Sequence, residues 1–210
     1  MTDPADLAGL VARLIAVGAE ASTRGLALAS GGNLSSRVPG ADRFVVTASG
    51  TWFNRLTPDD FTVVGLDGTV HAGEAAPSSE WRLHARTYEV RPDVQAIVHL
   101  HPQTVVVLDA IGREVRLLTL DHAVYVRRIA RVPFLPSGSD ELADAAAEAS
   151  RDADVILLAH HGCSTLGTTV EMAFRRALNL EEAARATVLA LQLGDTTTQF
   201  PVAPDAAIHH

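Results

Sequence analysis

Gln95-Ala96-Ile97-Val98-His99-Leu100-His101-Pro102 is an apolar run that ends in two histidines and a proline. Its length suits a buried strand from Gln95 to Leu100, and Pro102 suits the first turn of a helix reaching about Ala110. Alternate residues of a strand face the same side, so His99 and His101 can converge on one ion. Zinc takes imidazole nitrogens in tetrahedral geometry, and a His-x-His pair at a strand end supplies two of them. Two half-exposed histidines on a sheet edge would read the same way.

Upstream, Thr2, Asp3 and Pro4 form a helix start. Leu7, Leu10, Val11, Leu14, Ile15 and Val17 then recur at helical spacing to about Thr23. Ser30-Gly31-Gly32-Asn33 reads as a loop, Phe44 to Thr47 as a short strand, and Phe61–Leu66 with Thr69–His71 as a hairpin around Asp67-Gly68. Pro77-Ser78-Ser79-Glu80 opens a helix to about Val90, ended by Pro92. Downstream, Ser139 opens an alanine-rich helix to about Arg151. Asp154 to Ala159 is a buried strand that runs into His160-His161-Gly162, and Val170 to about Leu191 is a long closing helix. Helices interleaved with short strands, some of them hairpins, indicate an α/β or α+β fold with a mixed or mainly antiparallel sheet. No linker divides the chain, so residues 1–210 are expected to form a single domain.

The bulk properties narrow the function. The apolar share is 47%, the charged share 20% and the net charge −8, which suits a soluble globular protein with a full core and argues against general nucleic-acid binding. The chain has one cysteine, Cys163, so no intrachain disulfide forms and a reducing, cytoplasmic setting is expected. No window is long and apolar enough for a membrane span. His209 and His210 read as terminal residues without a role.

Polar rings at the end of the apolar run Leu157-Leu158-Ala159 carry a cost unless they have partners, so one of His160 and His161 is a candidate third ligand. Glu80 has two readings: a first-turn carboxylate that complements its helix dipole, or a metal neighbour. His84, one turn on, reads as a packing or hydrogen-bonding residue, and His71 as solvent-facing. Three histidines and a carboxylate suit a catalytic metal site better than a structural zinc site, which usually needs several cysteines. Three small-residue stretches, Gly32-Asn33-Leu34-Ser35, Thr47-Ala48-Ser49-Gly50 and Pro77-Ser78-Ser79-Glu80, offer hydroxyls and N–H groups that together suit a phosphate.

Gly-Gly-Asn-Leu-Ser-Ser-Arg (31–37), Thr-Ala-Ser-Gly-Thr (47–51), Pro-Ser-Ser-Glu-Trp-Arg-Leu-His (77–84), Val-His-Leu-His-Pro (98–102) and His-His-Gly (160–162) follow one another as in the class II aldolase/adducin family, which the chain resembles over nearly its whole length. The resemblance implies a single α/β domain with a central, mainly antiparallel sheet flanked by helices, assembled as a homotetramer with sites between subunits. It implies Zn2+, or another divalent transition metal, on His99, His101 and His161, with Glu80 as a ligand that also serves as acid/base. Gly32, Asn33, Ser49, Gly50, Ser78 and Ser79 would hold a substrate phosphate. His122, within Leu118–Ala123, stands where the family carries a tyrosine proton donor, and imidazole titrates near neutrality. The implied activity is aldol cleavage or formation in a phosphorylated ketose through the enediolate of dihydroxyacetone phosphate. The chain contains no lysine, which excludes Schiff-base aldolase chemistry. An epimerase, dehydratase or decarboxylase of the same family, or a non-catalytic interaction module, stays open at this point.

Overall fold

A computed structural model of the protein describes residues 4–202. The expected cap at Thr2 and Asp3 lies outside these residues. Five long helices and one sheet make up the fold: α1 (Pro4–Thr23), α2 (Trp81–Val90), α3 (Gln103–Ala110), α4 (Asp140–Ala149) and α5 (Val170–Gln192), around β1 (Asn33–Arg37), β2 (Arg43–Thr47), β3 (Phe61–Gly65), β4 (Val70–Ala72), β5 (Ala96–Leu100), β6 (Ile129–Val132), β7 (Val155–Leu158) and β8 (Gly162–Gly167). The eight strands lie in the order β4-β3-β2-β1-β5-β8-β7-β6. Only β6 and β7 are parallel; every other neighbouring pair is antiparallel. The expected α/β fold with a mainly antiparallel sheet is therefore the one observed. No helix among the described residues is long and apolar enough to cross a membrane.

Strand alternation divides the core. Phe44, Val46, Ile97, Ile156 and Leu158 face Leu83, Tyr88, Leu142 and Ala146 of α2 and α4. Val45, Val63, Val98 and Leu100 face Leu14 of α1 and Ala173, Phe174 and Ala177 of α5. Helices are thus held on both faces, which is why β5 and β7 are buried throughout and, His99 apart, apolar. Helix α5 starts where expected, with the Thr169 hydroxyl accepting from Met172 N–H at 3.0 Å, and Ser139 caps α4 by accepting from Leu142 N–H at 3.1 Å. Cys163 is buried on β8, and burial pushes its thiol up to about 12, so it is inert.

Three strands escape the hydrophobic pattern. Asn33-Leu34-Ser35-Ser36-Arg37, read partly as loop, is a central strand between β2 and β5. Gly162–Gly167 is central too, between β5 and β7, and Ile129–Val132 is an edge. Small polar residues have poor strand propensity, and only partners from elsewhere make them tolerable in the core. The Thr165 hydroxyl has its one proton to share between Ala173 O at 2.8 Å and Val98 O at 3.1 Å. Ser35, fully buried, lies 2.6 Å from His84 Nδ1 and 2.8 Å from the Tyr88 hydroxyl.

His84 is completely enclosed. Burial, then the neighbouring charge of His99, lower its pKa from 6.5 to about 3 against the opposing pull of Glu80. The folded protein therefore keeps this imidazole neutral where the unfolded chain protonates it. Between pH about 6.5 and 3 the unfolded state binds more protons, so stability is full above that window and falls as pH is lowered through it. Urea midpoints measured at pH 7 and pH 5 should show this loss, and His84→Gln should reduce the difference between them. An unchanged difference would remove His84 from the acid sensitivity.

Candidate metal centre

The end of β5 is squeezed between β1 and β8. Residues His99 and Leu100 run past Gly32 on one side and Gly162 on the other. A Cβ at Gly32 would lie 2.5 Å from His99 O, and one at Gly162 would lie 2.3 Å from Leu100 O and 2.6 Å from the His101 ring. Both positions exclude any side chain, and Gly32 also has φ +103. This close approach sets His161, from the β7–β8 turn, beside the two histidines of β5.

The three side chains that converge are His99, His101 and His161. One ligand nitrogen from each lies within 4.8 Å of the other two. Their ring centroids are 4.9–5.0 Å apart in all three pairs. His99 Nε2 and His101 Nε2 are 3.1 Å apart. Burial, followed by the charge of neighbouring imidazoles, lowers His101 to about 3 and also lowers His161. Both rings are therefore neutral at pH 7, the state in which imidazole binds a metal. His160 points away: it is exposed, with its ring near Phe134.

Glu80 joins this cluster. It stands at the N-cap of α2 but makes no side-chain cap. Its Oε2 is 3.1 Å from His99 Nε2 and its Oε1 is 3.6 Å from His161 Nε2. Burial alone would raise its carboxyl, but His99, His161 and the Ser137 hydroxyl outweigh it and hold the group below the usual carboxylate range. Zinc–nitrogen bonds of about 2.0–2.1 Å at tetrahedral angles place ligand nitrogens about 3.3 Å apart. The 3.1 Å contacts are close to that spacing, so three imidazoles and one carboxylate fit a divalent ion.

Behind Glu80 runs a chain of hydrogen bonds with one possible direction. Oε2 is an acceptor only, so the Asn33 group 3.0 Å away is its amide Nδ2. Asn33 Oδ1 then accepts from His84 Nε2–H. His84 Nδ1 is left as the acceptor of the Ser35 hydroxyl, and Ser35 accepts in turn from Tyr88. Oε1 faces Ser137, whose hydroxyl donates at 2.9 Å. Ser137 escapes a reading of the sequence. It sits in Pro136-Ser137-Gly138-Ser139, where helix-start residues are expected anyway, and its partner is 57 residues away.

The six candidate phosphate residues lie on adjoining segments. Ala48 bridges to Pro77, Ser78 N–H donates to Thr47 O at 3.0 Å, and Leu34 N–H donates to the Thr47 hydroxyl at 3.1 Å. Ser49 N–H is engaged by Ala76 O at 2.9 Å, so the N–H groups of Ser49 and Ser78 are already committed. Ser49, Gly50 and Ser79 are exposed, while Asn33 and Ser78 are buried. Ser78 Oγ accepts from Glu80 N–H at 3.3 Å.

His122 is not brought to this cluster within the protomer. It begins a π-helical turn, His122–Val126, and its ring is fully buried against α5. Nδ1 accepts from the N–H groups of Leu118 and Thr119 at 3.2 and 3.4 Å, and Nε2 bonds to Glu182. Neither nitrogen is open, which is not the setting of a free proton donor.

Known proteins agree with this geometry. The chain is 37% identical to an L-fuculose phosphate aldolase of Methanocaldococcus jannaschii over 162 residues, 77% of this chain and 86% of that one. It is 33% identical to a 5-methylthioribulose-1-phosphate/5-deoxyribulose-1-phosphate aldolase of Rhodospirillum rubrum over 183 residues, 87% of this chain and 81% of that one. The crystal structure of l-fuculose-1-phosphate aldolase from Thermus thermophilus superposes with a TM-score of 0.80 at 31% identity, covering 91% of this chain and 99% of that one. The family described as Class II Aldolase and Adducin N-terminal domain matches residues 12–188. With its fold and its histidine cluster in agreement, the chain belongs to the class II aldolase and adducin family.

Proposed function

We propose that this protein is a zinc-dependent aldolase that cleaves a ketose 1-phosphate into dihydroxyacetone phosphate and an aldehyde. The observation that carries the reading is the convergence of His99, His101 and His161 with the Glu80 carboxylate against them, in a chain of this family. Nitrogen ligands and one carboxylate favour zinc, although cobalt, manganese or iron could occupy such a set. A divalent ion held there supplies Lewis-acid stabilisation of the negative charge that develops on the ketose oxygens.

The remaining work falls to the side chains. Cleavage breaks the C3–C4 bond and the C4 O–H bond. The C4 hydroxyl gives its proton to a base on the aldehyde side as C4 leaves as the aldehyde carbon. The C3–C4 electron pair stays with C3, and C3 must gain a proton. Glu80 is the group assigned to carry that proton. Asn33 can only donate to Oε2, whereas the Ser137 hydroxyl can donate or accept. Oε1 is therefore the oxygen that takes up and returns the proton. The exposed hydroxyls of Ser49 and Ser79, with Gly32, Asn33, Gly50 and Ser78 behind them, would hold the phosphate. His122 is assigned to the aldehyde side on the family resemblance alone, and acting there would require it to release Glu182. Exposed Leu28 and Phe134 are side chains that a subunit contact in a homotetramer would cover. A reducing, cytoplasmic setting fits the single buried cysteine.

Elemental analysis of purified protein, together with dihydroxyacetone phosphate release from L-fuculose 1-phosphate, L-ribulose 1-phosphate and 5-methylthioribulose 1-phosphate, tests the reading. One zinc per chain with release from at least one substrate is expected. Metal without release, but with an altered sugar, would replace aldol cleavage with epimerisation or dehydration at the same site. His161→Ala should abolish stoichiometric zinc while His160→Ala retains it; the reverse pattern would exchange the two assignments. Glu80→Gln should lower kcat by roughly 10²–10⁴, and an undiminished rate would take the proton away from Glu80. His122→Phe should slow turnover with zinc content unchanged; a normal rate would exclude it from the reaction.

A further inference from the structure

The turn that delivers His161 is strained. Leu158 O accepts from His161 N–H at 3.0 Å, and between them His160 has φ +57. A residue with a Cβ is disfavoured in that left-handed region, where glycine or asparagine is the usual occupant of a tight turn. Relaxation of His160 to an ordinary conformation would open the turn and swing its neighbour His161 off the cluster.

What opposes relaxation is a carboxylate. The N–H of His160 donates to Asp109 Oδ2 at 3.2 Å, while Arg131 bonds Oδ1 through Nε and reaches Oδ2 through Nη2 at 3.4 Å. Asp109 is only 8% exposed and lies in the last turn of α3. A negative charge there opposes the helix dipole and is costly to bury. Helix stability does not call for it. Arg131 comes from β6, and the next backbone link, Ala159 N–H to Val132 O at 3.0 Å, ties the turn to the same strand. Helix α3, strand β6 and the β7–β8 turn therefore meet at this one carboxylate.

We propose that Asp109, fixed by Arg131, is a positioning residue for the metal ligand His161: it clamps the backbone of His160 in the left-handed conformation that aims the His161 ring at His99 and His101. The inference rests on the reading of His161 as a ligand. It concerns no atom that contacts metal or substrate, and it predicts a specific rescue, because glycine adopts the left-handed conformation unaided.

The test compares the wild type, Asp109→Ala, His160→Gly and the double variant. Zinc affinity is measured by competition with a chromophoric chelator, and the melting temperature of each metal-free protein is recorded. Asp109→Ala should weaken zinc binding roughly ten- to a hundredfold, the range for residues that orient ligands. The same change in the His160→Gly background should weaken it less than about threefold, since the turn then no longer needs its clamp. An equal loss in both backgrounds, or no loss from Asp109→Ala in a folded protein, would overturn the clamp. If Asp109→Ala fails to fold and the double variant folds, the clamp is upheld; if neither folds, Asp109 serves more than the turn and the proposal fails. A wild type that takes up no zinc would defeat the metal reading instead. The clamp would then stand or fall on whether Asp109→Ala lowers the metal-free melting temperature less in the glycine background.

Discussion

The site depends on how closely three strands can approach at one point. Strand β5 ends in His99 and His101, and the backbones of β1 and β8 close on it at Gly32 and Gly162, where a single added carbon would lie within 2.5 Å of a carbonyl oxygen. Without that approach the β7–β8 turn could not set His161 beside His101, and Asn33 could not sit directly across from His99. Two glycines thus make the difference between histidines scattered along a sheet and a cluster about 5 Å across by ring centroids.

Gathering so many polar groups in a core creates a problem that the surrounding network answers. Imidazoles resist protonation when buried, and a carboxylate resists ionisation. Placing Glu80 against His99 and His161 favours its charged form, while burial and the neighbouring imidazole charge, against the pull of Glu80, keep His101 and His161 neutral. The charge on Glu80 then orients everything behind it, from Asn33 through His84 and Ser35 to Tyr88, because each member has only one way to satisfy the next. A hydroxyl at Ser137, able to donate or accept, is the one adaptable contact of the carboxylate.

The contacts of the Glu80 carboxylate also show how like atoms come to differ. Asn33 Nδ2 can only donate to Oε2, whereas the Ser137 hydroxyl beside Oε1 can donate or accept. His160 and His161, adjacent in sequence, diverge for a similar local reason. The left-handed φ of His160 reverses the chain between them, so one ring meets Phe134 near the surface while the other enters the cluster.

Much of the architecture was legible in the chain itself. The helical period of α1, the cap at Ser139, and the apolar runs of β5 and β7 are local signals, and local chemistry sufficed to place them. The period of two in Val98-His99-Leu100-His101 likewise put two imidazoles on one face before any fold was known. The motifs of small residues and histidines, taken in order, pointed to the family. Strands β1 and β8 were hidden because Asn33-Leu34-Ser35-Ser36 and Gly162-Cys163-Ser164-Thr165 lack an apolar period, and their place in the sheet depends on distant partners such as His84 and Tyr88 for Ser35 and the Val98 carbonyl for Thr165. Tertiary structure alone decided that Glu80 faces His99 instead of capping its helix, that Ser137 reaches Glu80 across 57 residues, and that His122 is enclosed by Glu182 and backbone N–H groups. Those outcomes depend on which distant polar groups meet in a buried place, and short-range pattern carries no record of such meetings.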